Sequence, residues 1–119
     1  MENENSWYWI RIFFGDYSRG PKGPLSTEIL ALAKEMNLEG ATVLKGLNGY
    51  SLVGSPGSNQ LFGGREKSIP LIIEIPLGSS KMDDFMGRLN DLVKGGSSNV
   101  MIAKIKSEVI VSDPDLLRT

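Results

Sequence analysis

An α+β fold is predicted for this chain, an antiparallel four-stranded sheet with two helices on one face. Three observations predict it. Strand-like runs of β-branched, aromatic or alternating apolar residues occur four times, near 7–14, 41–47, 69–75 and 100–106. Two other stretches, 24–36 and 82–93, repeat apolar residues at helical spacing. The resulting order, β-α-β-β-α-β, is that of the ferredoxin-like split plan.

The first strand is Trp7-Tyr-Trp-Ile-Arg-Ile-Phe-Phe14, closed by Gly15-Asp16. Tyr8, Ile10, Ile12 and Phe14 form an apolar face suited to packing under helices, because strand residues alternate in direction. Trp7, Trp9, Arg11 and Phe13 form the other face, which is also largely apolar. A strand apolar on both sides requires cover on both sides. The fold supplies helices for one face only, so burial of the other against copies of the same chain is expected.

Gly20-Pro21 and Gly23-Pro24 mark a loop, and Pro24 suits the first helical position, where a missing N–H costs nothing. Leu25, Ile29, Leu32, Ala33 and Met36 then make one stripe of a helix over 24–36. Asn37 is expected to stop it in the left-handed conformation, with Leu38 folding back in a Schellman contact. The second strand is expected over 41–47 and the third over 69–75, with Pro70 at its start and Pro76 at its end. Ser79-Ser80 offers an N-cap hydroxyl, with Asp83 and Asp84 in the first turn of the second helix. Met82, Phe85, Met86, Leu89, Leu92 and Val93 give that helix its stripe, and Gly95-Gly96 ends it. The fourth strand follows over 100–106, and 108–111 either continues it or forms a short fifth. One domain, 7–111, is therefore expected, with a disordered tail at 1–6, a long loop at 50–68 and a C-terminal tail at 112–119. That loop is glycine-rich and polar, a composition that adds little core, and loops of such length in compact domains are usually functional or disordered.

Composition narrows the function. Thirteen basic and fourteen acidic residues give a net charge of −1, which argues against a nucleic-acid partner. Neither cysteine nor histidine is present, so the commonest general base and the commonest soft-metal ligands are missing together. The polar, acidic start is unlike a signal peptide, and no apolar run approaches the ~20 residues of a membrane span. A cytoplasmic protein without a catalytic or metal site is expected.

Three stretches could hold a ligand. Lys45-Gly-Leu-Asn-Gly-Tyr50 combines a charge with two glycines whose backbone amides can approach an anion; as an ordinary glycine-rich strand exit it would do neither. Lys94-Gly-Gly-Ser-Ser-Asn99 could cradle a phosphate, or be a plain helix C-cap and turn. Lys104 and Lys106, two apart, share one face of a strand; they either decorate a solvated edge or face a phosphate groove. For catalysis, Asp83-Asp84 read as helix-cap charges and Glu74 as isolated in its strand, so neither makes a carboxylate pair. Acylphosphatase-like chemistry would want a loop arginine and an asparagine; Arg19 and Asn48 are the candidates, with no motif joining them.

Ile10-Arg-Ile-Phe-Phe-Gly15, the helix ending Ala33-Lys-Glu-Met-Asn-Leu, Gly40-Ala-Thr-Val-Leu-Lys-Gly-Leu-Asn-Gly-Tyr50 and Ile69-Pro-Leu-Ile-Ile-Glu-Ile75 together resemble an uncharacterised bacterial and archaeal family of PII-like proteins, a domain of unknown function. Similarity to PII signal proteins themselves is confined to Gly40–Gly49. The resemblance implies a homotrimer with inward-facing sheets. It implies an adenine nucleotide or related effector between subunits, and a T-loop-like segment that contacts a target such as a membrane transporter. On that mapping Gly46, Gly49, Gly95, Gly96, Lys104 and Lys106 fall at the ligand, and with Lys45 and Asn48 of the same loop base they make up the expected ligand-binding residues. The loop departs from the family pattern, being neutral over 55–64 and without a histidine. It also lacks the tyrosine context of PII uridylylation. The alternatives are a small ferredoxin-like hydrolase and a CutA-like trimeric tolerance protein, the latter disfavoured by the missing histidine and cysteine.

Overall fold

The computed structural model describes residues 6–47 and 69–109. Among the described residues, six main elements run in the order β1 (Trp7–Gly15), α1 (Leu25–Glu35), β2 (Thr42–Lys45), β3 (Pro70–Gly78), α2 (Met82–Gly95) and β4 (Met101–Ser107). The strands form one antiparallel sheet in the order β2-β3-β1-β4. This is the expected α+β, ferredoxin-like arrangement.

β1 lies inside the sheet with long ladders on both sides, and its alternation decides the core. Tyr8, Ile10, Ile12 and Phe14 are buried, together with Leu71, Ile73, Ile75 and Leu77 of the neighbouring β3. Leu25, Ile29, Leu32 and Ala33 of α1 and Met82, Phe85 and Leu89 of α2 close over them. Each large apolar side chain removed from water contributes about 1.5–3 kcal/mol. Exposed ion pairs such as Arg88 with Glu35 and Asp84 contribute roughly 0–1 kcal/mol each. The helix–sheet core therefore dominates stability.

α1 ends as the sequence predicts. Asn37 has φ 55°, the Leu38 N–H donates to the Ala33 carbonyl at 3.0 Å, and the Asn37 N–H donates to the Lys34 carbonyl at 3.1 Å. These are the two bonds of a Schellman motif. Lys81 adds a second cap, its Nζ donating to the carbonyls of Met36 and Asn37 at 3.3 and 3.2 Å.

Several boundaries differ from the expectation. Pro24 takes the N-cap position, with ψ 135°, and the helix begins one residue later. Pro76 does not end β3, which continues to Gly78. β2 pairs with β3 only as far as Glu74, so one edge of β3 is open at Pro76, where a proline nitrogen removes no ladder bond. β2 is confined to Thr42–Lys45. No serine takes the N-cap position of α2: a 3-10 turn over Ser79–Lys81 leads into the helix, and the N-cap residue is Lys81, with no side-chain cap bond at that position. Glu108 and Val109 are not in a strand. Residues 1–5, the loop 50–68, the remainder of the possible fifth strand and the tail 112–119 lie outside the described residues. Among the described residues, no helix is long and apolar enough to cross a membrane.

Candidate functional site

The loop base is built by three backbone-directed bonds. The Gly46 N–H donates to the Pro70 carbonyl at 2.8 Å, the Asp16 N–H donates to the Ile69 carbonyl at 2.9 Å, and the Ile69 N–H donates to Asp16 Oδ1 at 3.1 Å. The chain thus leaves β2 and enters β3 from a pinned frame. Gly46 is a glycine for a packing reason: a Cβ there would lie 2.7 Å from Pro70 Cγ. Its amide is already engaged, and the neighbouring Lys45 is exposed. Asn48 and Gly49 lie outside the described residues.

The glycine pair after α2 also has a packing role. A Cβ on Gly95 would lie 2.7 Å from Pro21 Cγ, and one on Gly96 would fall 2.7 Å from the Gly20 Cα and against the Arg19 carbonyl. That carbonyl accepts from the Ser97 N–H at 3.1 Å and from Ser98 Oγ at 2.8 Å. The turn 95–98 is therefore laced to the 19–21 loop. Sequence reading missed the roles of Arg19 and Asp16, since both act through partners distant in the chain.

Lys104 and Lys106 do share a face, as predicted. Register fixes which one: Lys104 pairs with Ile10 and Lys106 with Tyr8, so both stand on the helix side of the outer strand β4. Both are exposed. Lys104 Nζ sits 4.6 Å from the centroid of the Tyr8 ring, within cation–π range. Tyr8 is 3% exposed, and its hydroxyl has no hydrogen-bond partner among the described residues.

These groups are not gathered in one chain. Lys45 is on β2 at the level of Leu71 and Phe14, whereas Lys104 and Lys106 are on β4 at the levels of Ile10 and Tyr8. Three strand spacings and four residues of rise separate Lys45 from Lys104 by about 20 Å. Gly95 and Gly96 lie at the Gly15 end of the sheet, with Lys45 and Gly46 but away from Lys106. A groove of about 360 Å³ between α1 and α2, lined by Glu28, Glu35, Arg88 and Asp91 among others, contains none of the predicted residues. Among the described residues, no three carboxylates converge as a metal site.

Among the described residues, nothing covers the sheet face away from the helices, and that face is largely apolar. Leu44, Ile72, Phe13 and Met101 form one cross-strand row, and Pro76, Trp9 and Ile105 another. Leu44, Met101 and Ile105 are 42%, 44% and 44% exposed. Between the rows, Arg11 Nε meets Glu74 Oε2 at 2.8 Å. Glu74 is thus not isolated: the antiparallel register places Arg11 opposite it on the same face.

Fold and surface define a small ferredoxin-like α+β domain with two outer strand edges and one open, largely apolar sheet face. The chain matches the DUF190 family, described as "Uncharacterized ACR", over residues 7–106, and it belongs to that family. No curated protein matches it.

Proposed function

We propose that this chain is a non-enzymatic, PII-like regulatory protein that assembles as a homotrimer through its sheets. It binds an adenine nucleotide or a similar anionic effector between subunits. Lys45 of one copy and Lys104 and Lys106 of the next supply the positive charge. Asn48 and Gly49 belong to the loop-base half of that site, and the segment 50–68 couples effector binding to a protein target such as a membrane transporter.

One observation supports this reading above the others. The candidate cations stand on opposite outer edges of one sheet whose free face is largely apolar, so only a second copy can bring the two edges together. A single chain offers each half of the site to solvent. The pinned ends of the loop at Gly46 and Ile69 are also consistent with a loop that changes state without disturbing the sheet.

Titration calorimetry of the full chain with ATP, ADP, AMP and cyclic nucleotides tests the proposal. Binding of at least one of them is expected, weakened about tenfold or more by Lys45→Met or Lys104→Met, the order of a lost charge-assisted contact. Absence of binding to all of them at millimolar concentration overturns the nucleotide assignment.

A further inference from the structure

The open sheet face carries one charged row between two apolar ones. Thr42, Glu74, Arg11 and Ala103 make that row across β2, β3, β1 and β4, and it contains both charges described on the face. The Arg11 side chain is 45% exposed and that of Glu74 18%. A guanidinium has five N–H donors and a carboxylate two acceptor oxygens, so Glu74 of the same chain cannot satisfy Arg11 completely. The exposure of the side chain leaves those spare donors reachable from the surface.

Building on the self-association reading above, we propose that the Arg11–Glu74 pair is the polar key of the interface between copies of this chain. In the assembly, the spare donors of Arg11 meet Glu74 of a neighbouring copy, and the resulting charge network fixes how the sheets register and how many copies close. The occupant is a second copy because the charges on this face are balanced one to one. A like face brings one cation and one carboxylate per copy and leaves no excess, whereas an acidic or basic partner would leave one charge uncompensated. The apolar rows provide adhesion but little register, since flat apolar surfaces can slide past each other. A single polar contact within an apolar interface is an attested means of selecting one register and one oligomeric state. Its contribution to affinity beyond that is small, because desolvation offsets most of the attraction.

Sedimentation velocity and light scattering of the full chain over a wide concentration range test this, with R11M, E74M and R11M/E74M alongside the wild type. The pair is partly exposed in the single chain, so the variants are expected to keep wild-type circular dichroism. The wild type should form one closed species. Either single variant leaves an unpaired charge in the interface and should weaken assembly about 100-fold or more. The double variant should associate again, but as a mixture of oligomers. If the single variants assemble like the wild type, or the double variant forms the same single species, the key is overturned while self-association stands. A wild-type protein that stays monomeric throughout overturns self-association itself and assigns the face to a foreign partner.

Discussion

Asp16 holds Ile69 at two points, donating its N–H to the Ile69 carbonyl and accepting the Ile69 N–H on Oδ1. One residue at the end of β1 thereby fixes where the chain comes back into the sheet before β3. Asp16→Ala removes the side-chain acceptor and should destabilise the fold by about 1 kcal/mol. Exchange of the Ile69 amide should quicken about fivefold. Asp16→Asn retains an oxygen in the same place and should recover most of the loss. Unchanged Ile69 exchange in the alanine variant would show that the contact does not hold in solution.

Gly96 and Gly87 should respond in opposite directions to the same substitution. A Cβ on Gly96 meets backbone atoms of Arg19 and Gly20, which cannot swing aside as a side chain can. Gly96→Ala should lower stability by about 2 kcal/mol, in the range of overpacked sites. At Gly87, exposed on α2, a Cβ meets nothing within 4 Å. Gly87→Ala should raise stability by about 0.5–1 kcal/mol through helix propensity and reduced unfolded-state entropy. Thermal melts of the two variants check this, and equal shifts would remove the packing argument for the 95–98 turn.

The Tyr8 ring is useful to the core, while its buried hydroxyl has no partner among the described residues. Tyr8→Phe should therefore be neutral or stabilising by up to about 1 kcal/mol, since an unsatisfied buried hydroxyl is a cost. Lys104→Met should lose about 0.5–1 kcal/mol of cation–π attraction, partly compensated by its apolar stem. Urea titration of both variants decides. A loss above about 1 kcal/mol on Tyr8→Phe would reveal a bound partner for the hydroxyl.

Periodicity made the core legible. The alternation of Tyr8, Ile10, Ile12 and Phe14, and the stripes Leu25–Ile29–Leu32 and Phe85–Leu89, are local patterns that burial enforces directly. Asn37 was legible because few residues tolerate positive φ. Pro76 was misleading, because whether a proline ends a strand depends on a neighbour whose length local sequence does not show. Ser79 and Ser80 carried a capping signal that a 3-10 turn superseded. Of the predicted site, Lys104 and Lys106 were correctly placed on one face. That they stand across the sheet from Lys45 could be known only from strand order. The reasons for Gly46, Gly95 and Gly96 lie in Pro70, Pro21 and Arg19, all distant in sequence. The Arg11–Glu74 pair was hidden for the same reason, since it required the register of β1 on β3.

The central position of β1 also sets the order in which the fold can be made. The ribosome delivers β1 before either strand that flanks it, since β3 begins only at Pro70 and β4 at Met101. At roughly 5–20 residues per second, a strand apolar on both faces waits several seconds for its first ladder. During that interval Trp7, Trp9 and Phe13 present an unpaired edge and an uncovered surface to every other nascent chain. Protection of β1 during synthesis is therefore a requirement separate from the stability of the finished domain.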